Sequence, residues 1–279
     1  MIRTAELLQS GFARFRPRPD RPEAFDQQHS FCYERVRMAI LVGGNGSGTT
    51  TAAAFKTALF LLSQQPPPRK DTPFWIVSET YDQTCSVCWL EKLHGMQLIP
   101  DQEVDWRRIS WIDRRRNWPR AVPLKPWPGR PGRNWMLEFK SYEQGRRALQ
   151  GRAIGGFWLS EQFPEEVLVE VLRGCREFMF PGGQFAEFTP VDPELCLWLE
   201  RVIDDPPPGW KVYRCNTELN TALARGWLES FKSQLSAEMA ATRLTGALPL
   251  WEGVIFASFN PSVHVVPEEQ VVLPPGARH

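Results

Sequence analysis

Residues Gly43-Gly44-Asn45-Gly46-Ser47-Gly48-Thr49-Thr50, within LVGGNGSGTTTAAAF (41–55), have the composition of an anion-binding loop. They satisfy G-x-x-x-x-G-K-[ST] at every defined place except the lysine, where Thr49 stands. An apolar run leads into the loop, and a helical pattern beginning at Thr50 leaves it. In that context main-chain N–H groups and a helix N-terminus hold phosphate without any side chain. Thr50 keeps the hydroxyl suited to Mg²⁺. A ligand-free strand-to-helix turn is the alternative, although a simple turn does not need glycine at 43, 44, 46 and 48.

Thr49 is a serious departure. A lysine there would give charge-assisted bonds of roughly 1.5–3 kcal/mol each. Its absence from a phosphoryl-transfer transition state would cost about 10³–10⁵ in rate. Binding therefore survives more readily than turnover. No Lys or Arg lies within 43–50. Lys56 lies about 9 Å further along the helix, at 1.5 Å per residue, too far to substitute.

The elements that must hold such a loop are legible as alternating patterns. Buried-strand runs occur at RMAILV (37–42), FWIVS (74–78), WMLEFK (135–140), IGGFWL (154–159), FAEFT (185–189) and KVYRC (211–215). Helical patterns cover 50–63, 81–94 and 164–174. In the last, Pro164 suits the first turn, Glu165 and Glu166 favour its positive end, and Gly174 terminates it. Such alternation predicts an α/β fold with a mostly parallel sheet flanked by helices. Residues 217–246 read as helical, and 251–279 as extended and Pro-rich.

The chain has 279 residues and a net charge of +1, so any polyanion contact must be a local patch. No apolar run is long enough to span a membrane, and the Arg/Pro-rich start lacks the apolar core of a secretory signal. Six scattered cysteines suit a reducing compartment. Cys85 and Cys88 form a lone C-x-x-C, read as two buried residues one helical turn apart rather than a zinc site.

Downstream, FKSYEQGRRALQGRAIGGFWLSEQFPEEVLVEVL (139–172) resembles the ATPase domain of tailed-phage terminase large subunits. EFTP (187–190) is similar to that family's coupling motif, GGNGSG to its phosphate loop, and GVIFASFNPSVHVV (253–266) to the segment preceding its nuclease domain. The resemblance covers roughly residues 25–270. It implies a P-loop NTPase fold, RecA-like and of the additional-strand catalytic-glutamate type. It also implies an N-terminal arm over 1–24, an ATPase domain over 25–250, and a C-terminal linker over 251–279 leading to an absent nuclease domain.

By the same resemblance ATP and Mg²⁺ are the cofactors. Glu161 matches the base that polarises the attacking water, and Thr50 and Ser160 occupy the metal positions. Ser160 replaces an Asp, so both departures fall on the metal–triphosphate chemistry and imply an attenuated or abandoned ATPase. Thr189 would sense the γ-phosphate, and Gln28 (or Gln27) would contact adenine. Arg146, Arg147 or Arg152 would act as a finger on a neighbour's nucleotide in a homo-oligomeric ring. Each has a plainer alternative: a helix-entry carboxylate, a strand-end cap, an exposed polar arm and solvated arginines. The implied partners are double-stranded DNA, a phage portal and a small terminase subunit, in the host bacterial cytoplasm.

A local basic stretch, RRISWIDRRRNWPRAVPLKPWPGRPGR (107–133), interleaves Arg114, Arg115, Arg116 and Arg120 with Trp118 and stiff prolines. Arginine with aromatic residues suits phosphate contact and base stacking, giving a candidate DNA-binding patch. The alternative is a solvated insertion whose tryptophans pack on the sheet edge. Two rival functions remain open: a non-hydrolysing nucleic-acid-binding or scaffolding module derived from such a motor, and a nucleotide kinase. The kinase is disfavoured because no Arg-rich lid follows at the required spacing.

Overall fold

The computed structural model describes residues 22–248. Helix α1 (Pro22–Tyr33) precedes β1 (Met38–Gly43), the loop, and α2 (Thr49–Leu59), which continues into a π-type turn over Phe60–Gln64. Strand β2 (Thr72–Ser78), the π-wound helix α3 (Gln83–His94), and strands β3 (Ser110–Asp113), β4 (Trp118–Pro123) and β5 (Trp135–Ser141) follow. Then come β6 (Gly156–Ser160), α4 (Glu165–Gly174), β7 (Gln184–Phe188), α5 (Pro193–Asp204) and β8 (Trp210–Cys215). The described chain ends in short helices α6 (Trp227–Lys232) and α7 (Ala237–Ala240), with a π turn over Ala241–Thr245.

All eight strands form one sheet in the order β3-β4-β5-β2-β6-β7-β1-β8. The six from β5 to β8 are parallel, and β3–β4–β5 is an antiparallel edge. Strand β1 shows why these segments become central strands: all six of its residues are buried. Ala39 and Leu41 face α1, α2 and α3, where Phe31, Ala52, Phe55 and Trp89 complete one core. Met38, Ile40 and Val42 face the other side, packing with Val167, Leu168 and Val171 of α4 and Leu199 of α5. A strand covered on both faces needs apolar residues at every position rather than alternation.

Strand β7 lies between β1 and β6. This interposed strand is the one for which the additional-strand class is named, so the expected P-loop architecture is present. Parallel connectivity also puts the C-terminal ends of β1, β6 and β7 side by side, the edge where open α/β sheets bind ligands.

Three expectations need amendment. Helix α1 was not read from the sequence and starts at Pro22, inside the stretch assigned to an arm. The basic stretch carries two strands absent from the sequence reading, paired as the antiparallel β3–β4 hairpin. Residues 217–246 are mainly turns and short helices, the longest α-helical piece being Trp227–Lys232. The 251–279 linker lies outside the described residues. Cys85 and Cys88 are both buried in the core beneath the sheet. No helix among the described residues is long and apolar enough to cross a membrane.

Candidate nucleotide site

The loop turns through Gly46 (φ +78°) and Gly48 (φ +89°), left-handed conformations that glycine adopts without a Cβ penalty. Gly48 caps α2, and no acidic residue lies in the first turn to oppose its positive end. Some loop amides already have acceptors: Gly44 N–H donates to Cys215 O (3.2 Å), Asn45 N–H to Arg243 O (2.6 Å) and Ser47 N–H to Gly44 O (3.1 Å). The N–H groups of Gly46, Gly48, Thr49 and Thr50 have no acceptor among the described residues. These four amides lead into an eleven-residue helix and form a cup of open donors, the arrangement that suits an anion.

Side chains hold the cup from outside. Gln28 Nε2 donates to Ser47 O (3.0 Å), Thr217 Oγ1 to Asn45 O (2.9 Å) and Asn220 Nδ2 to Gly46 O (2.6 Å). Gln28 is thus buried against the loop, while Gln27 lines an open cavity of about 620 Å³ with Arg214, Asn216 and Leu219. Of the two glutamines, Gln27 is the one facing space for a base. Lys56 is buried, and its Nζ donates to Phe31 O (2.7 Å) and Glu34 O (3.1 Å) at the end of α1. Burial lowers its pKa to about 8. It braces α1 and does not reach the loop. Arg243 Nη1 donates to Asn45 Oδ1 at 3.4 Å, bringing a guanidinium to the loop from a distant segment.

The strand ends complete the site. Ser160 and Glu187 are register partners on β6 and β7, and Ser160 Oγ donates to Glu187 Oε1 at 2.8 Å. Thr50 Oγ1 donates to Glu187 Oε2 at 3.3 Å. The two hydroxyls expected at a metal therefore converge on one carboxyl that sequence reasoning missed. Glu187 is fully buried, and its pKa rises to about 8 through desolvation and then the nearby charge of Glu161, against the hydrogen bond from Ser160. An all-oxygen set of this kind fits a hard cation such as Mg²⁺.

Glu161 has φ +66°, a strained conformation for a non-glycine residue and one that clusters at functional sites. Burial raises its pKa; the facing Thr189 main-chain amide opposes this, and Glu79 adds to it. Its N–H donates to Glu187 O at 2.8 Å. Next to it, buried Gln162 accepts from the N–H groups of Val191 (2.7 Å) and Asp192, and donates to Asp192 O (3.1 Å). Gln162 thus clamps the end of β6 to the segment after Thr189. It is a second functional candidate: in the sequence Glu161-Gln162 reads only as a hydrolase-type pair, and the clamp on 191–192 is visible only in the fold.

The remaining candidates lie elsewhere. Arg152 pairs with Glu138, which is buried and also accepts from Trp75 Nε1 (2.8 Å). Arg152 is thus held within its own chain. Arg146 lies on the short turn Arg146–Leu149 after β5. Arg114, Arg115 and Arg116 are exposed at the β3–β4 turn, and Arg120 is exposed on β4. Trp118 is half-buried: its Nε1 donates to Ser86 Oγ (3.1 Å), and the Arg116 guanidinium stacks on it at 4.9 Å. Its indole is therefore a platform for arginine rather than an open face for a base. Five strand spacings separate β4 from β1, about 24 Å.

No curated protein matches the sequence. Among solved structures, the large terminase from the thermophilic bacteriophage D6E is similar with TM-score 0.56 and 15% identity, covering 89% of this chain and 58% of that one. The large terminase ATPase domain of Thermus phage P74-26 gives TM-score 0.53 and 14% identity, over 82% of this chain and 97% of that domain. The HK97 bacteriophage large terminase gives 0.53 and 12%, over 84% and 51%. The chain spans little more than half the length of the full-length structures it matches, and these likenesses establish the fold. The family model "Terminase large subunit, T4likevirus-type, N-terminal" matches residues 40–261. That match covers most of the sequence and takes in the loop, Glu161 and Thr189, and by it the chain belongs to the terminase large subunit family.

Proposed function

We propose that this chain is the ATPase motor domain of a viral DNA-packaging terminase, attenuated by the loss of charge at Thr49 and Ser160. One observation carries the reading: β7, interposed between β1 and β6, brings the anion cup and the Glu161 carboxylate to one edge. Solved complexes of the similar bacteriophage D6E terminase with ADP and with ATP-γ-S support nucleotide as the ligand. The ATPase domain is assigned to residues 25–250, preceded by an arm and followed by a linker.

In this reading the free amides of Gly46, Gly48, Thr49 and Thr50 hold phosphate oxygens, and Gln27 and its cavity take the base. The Thr50 and Ser160 hydroxyls would hold Mg²⁺, which when bound offsets triphosphate charge. Glu161, raised in pKa by burial, accepts the proton of the attacking water. Its contact with Thr189, and the Gln162 clamp on 191–192, pass the loss of γ-phosphate to α5 and thence to bound DNA. The partners are double-stranded DNA, a portal, a small terminase subunit and further copies in a ring, in the host bacterial cytoplasm. The finger arginine comes from the Arg146–Leu149 turn, Arg146 or Arg147, since Arg152 is paired with Glu138.

The test is calorimetric titration of ATP·Mg together with steady-state phosphate release. Weak binding and slow release are expected, with a gain of about 10³ or more in rate for Thr49→Lys combined with Ser160→Asp. No gain would favour the second reading, a non-hydrolysing nucleic-acid-binding or scaffolding module. A specific contact favours that reading: a Cβ on Gly44 would lie 2.3 Å from Leu244 O, so residues 243–246 sit directly on the loop.

A further inference from the structure

We infer that Glu187 supplies, from β7, the carboxylate for the metal–nucleotide complex that Ser160 no longer supplies from β6; this rests on the nucleotide reading above. The register carries the argument. Ser160 and Glu187 are directly paired in a parallel ladder, so their side chains leave the sheet on the same face. Moving a carboxylate from β6 to β7 shifts it by about 4.8 Å towards β1, the strand that feeds the loop. In that position it bonds both hydroxyls of the site, Thr50 at 3.3 Å and Ser160 at 2.8 Å. The end of β6 carries the serine and the end of β7 the carboxylate, so the site holds one of each.

Burial and charge point the same way. Glu187 is 0% exposed, and no Lys, Arg or His is among its partners in the described residues. A carboxylate with no cation is costly to keep in a core strand, and a purely structural role between Ala186 and Phe188 would be served by an apolar residue. The hydroxyls donate their protons to Glu187, leaving their oxygen lone pairs available to a cation held beside the carboxylate. Mg²⁺ is commonly held by one or two carboxylates while keeping several waters, so one carboxylate with two hydroxyls is a sufficient protein contribution.

The experiment is ADP titration of the intact chain by calorimetry, in EDTA and in Mg²⁺. For the unmodified chain Mg²⁺ should tighten ADP at least tenfold. In Glu187→Gln, which keeps the size and an acceptor for the hydroxyls, that gain should fall below twofold while affinity in EDTA is unchanged or higher. Ser160→Asp combined with Glu187→Gln should recover it. A tenfold gain surviving in Glu187→Gln overturns the inference and leaves the nucleotide reading standing. ADP binding absent in both media overturns the nucleotide reading itself. A second measurement needs no variant: crystals of the unmodified chain with ADP and Mn²⁺ should show the anomalous peak in direct or single-water contact with Glu187. A peak away from that carboxylate overturns the assignment.

Discussion

The carboxylate of Glu161, at the end of β6, faces the main-chain amide of Thr189, just beyond the end of β7. The residue that would handle the water and the residue that would report the γ-phosphate are thus in contact before any ligand arrives. Glu161→Gln keeps the shape and the contact but removes the base. Phosphate release by the Thr49→Lys, Ser160→Asp background should fall at least 100-fold, the usual contribution of a general base. Thermal stability should hold or rise, because the replaced carboxylate is half-buried and its charged form is disfavoured by burial. Undiminished release would remove Glu161 from the mechanism.

Gln162 makes a different prediction, because its contribution is structural. It satisfies two amides and one carbonyl of residues 191–192 from a position 5% exposed. Gln162→Ala removes the side-chain partner of the Asp192 N–H and carbonyl, while the Val191 N–H keeps Thr189 O (2.9 Å), at about 1–3 kcal/mol for each buried group that water cannot reach. Urea denaturation should show a loss of about 2–4 kcal/mol, with protection from amide hydrogen exchange falling first at 189–192. Glu161→Gln should show neither change. If both variants lose stability alike, the clamp and the base are not separable.

The six cysteines predict the alkaline limit of the fold. All are buried and free. Desolvation raises Cys32, Cys85, Cys175 and Cys215 to about 12, Cys196 to about 11 and Cys88 further, from 9.0. Folded pKa values above the unfolded value mean that the stabilisation is complete below pH 9 and is lost as pH rises from there towards 12. Each thiol contributes on the order of 1–2 kcal/mol of that loss by pH 10, the less enclosed Cys85 and Cys196 least. Lys56, lowered to about 8, has the opposite sign and returns roughly 2–3 kcal/mol between pH 8 and 10. The net loss at pH 10 is on the order of 5 kcal/mol, comparable with the whole stability of many domains. Under reducing conditions the urea midpoint should drop sharply between pH 8.5 and 10. An unchanged midpoint would mean that the thiols are solvated.

What the sequence reveals about this fold follows from how each element is buried. Strand β1 and the loop are legible because burial on both faces forces an unbroken apolar run, and the left-handed turns at 46 and 48 force glycine. Helix α4 is legible because Val167, Leu168 and Val171 form a single stripe. Helix α1 is not, since its apolar residues Phe31, Cys32 and Tyr33, which reach the core, are confined to its last turn and follow a polar run over 26–30. Strands β3 and β4 escape because they are short, and proline at 119 and 123 argues against a central strand while being tolerated near a sheet edge. Glu187 escapes for another reason. In QFAEF a lone glutamate reads as an ordinary strand residue, and only its register with Ser160 gives it meaning.

The edge hairpin tests where DNA would run. Arg114 and Arg115 are exposed at its turn, whereas Arg116 is stacked on Trp118 and lies 3.7 Å from an Asp113 oxygen. If the hairpin contacts phosphates, each neutralised phosphate contributes about 0.9 to the slope of log affinity against log salt. Arg114→Ala with Arg115→Ala should lower that slope by about 2, with little dependence on DNA sequence. Arg116→Ala should lower it by less than 1, because that guanidinium already has an acid and an indole as partners. Trp118→Ala should reduce thermal stability more than DNA affinity, since the ring is half-buried and donates to Ser86. Slopes that do not move in the double variant would take the hairpin off the DNA path and leave it as a solvated edge that closes the sheet.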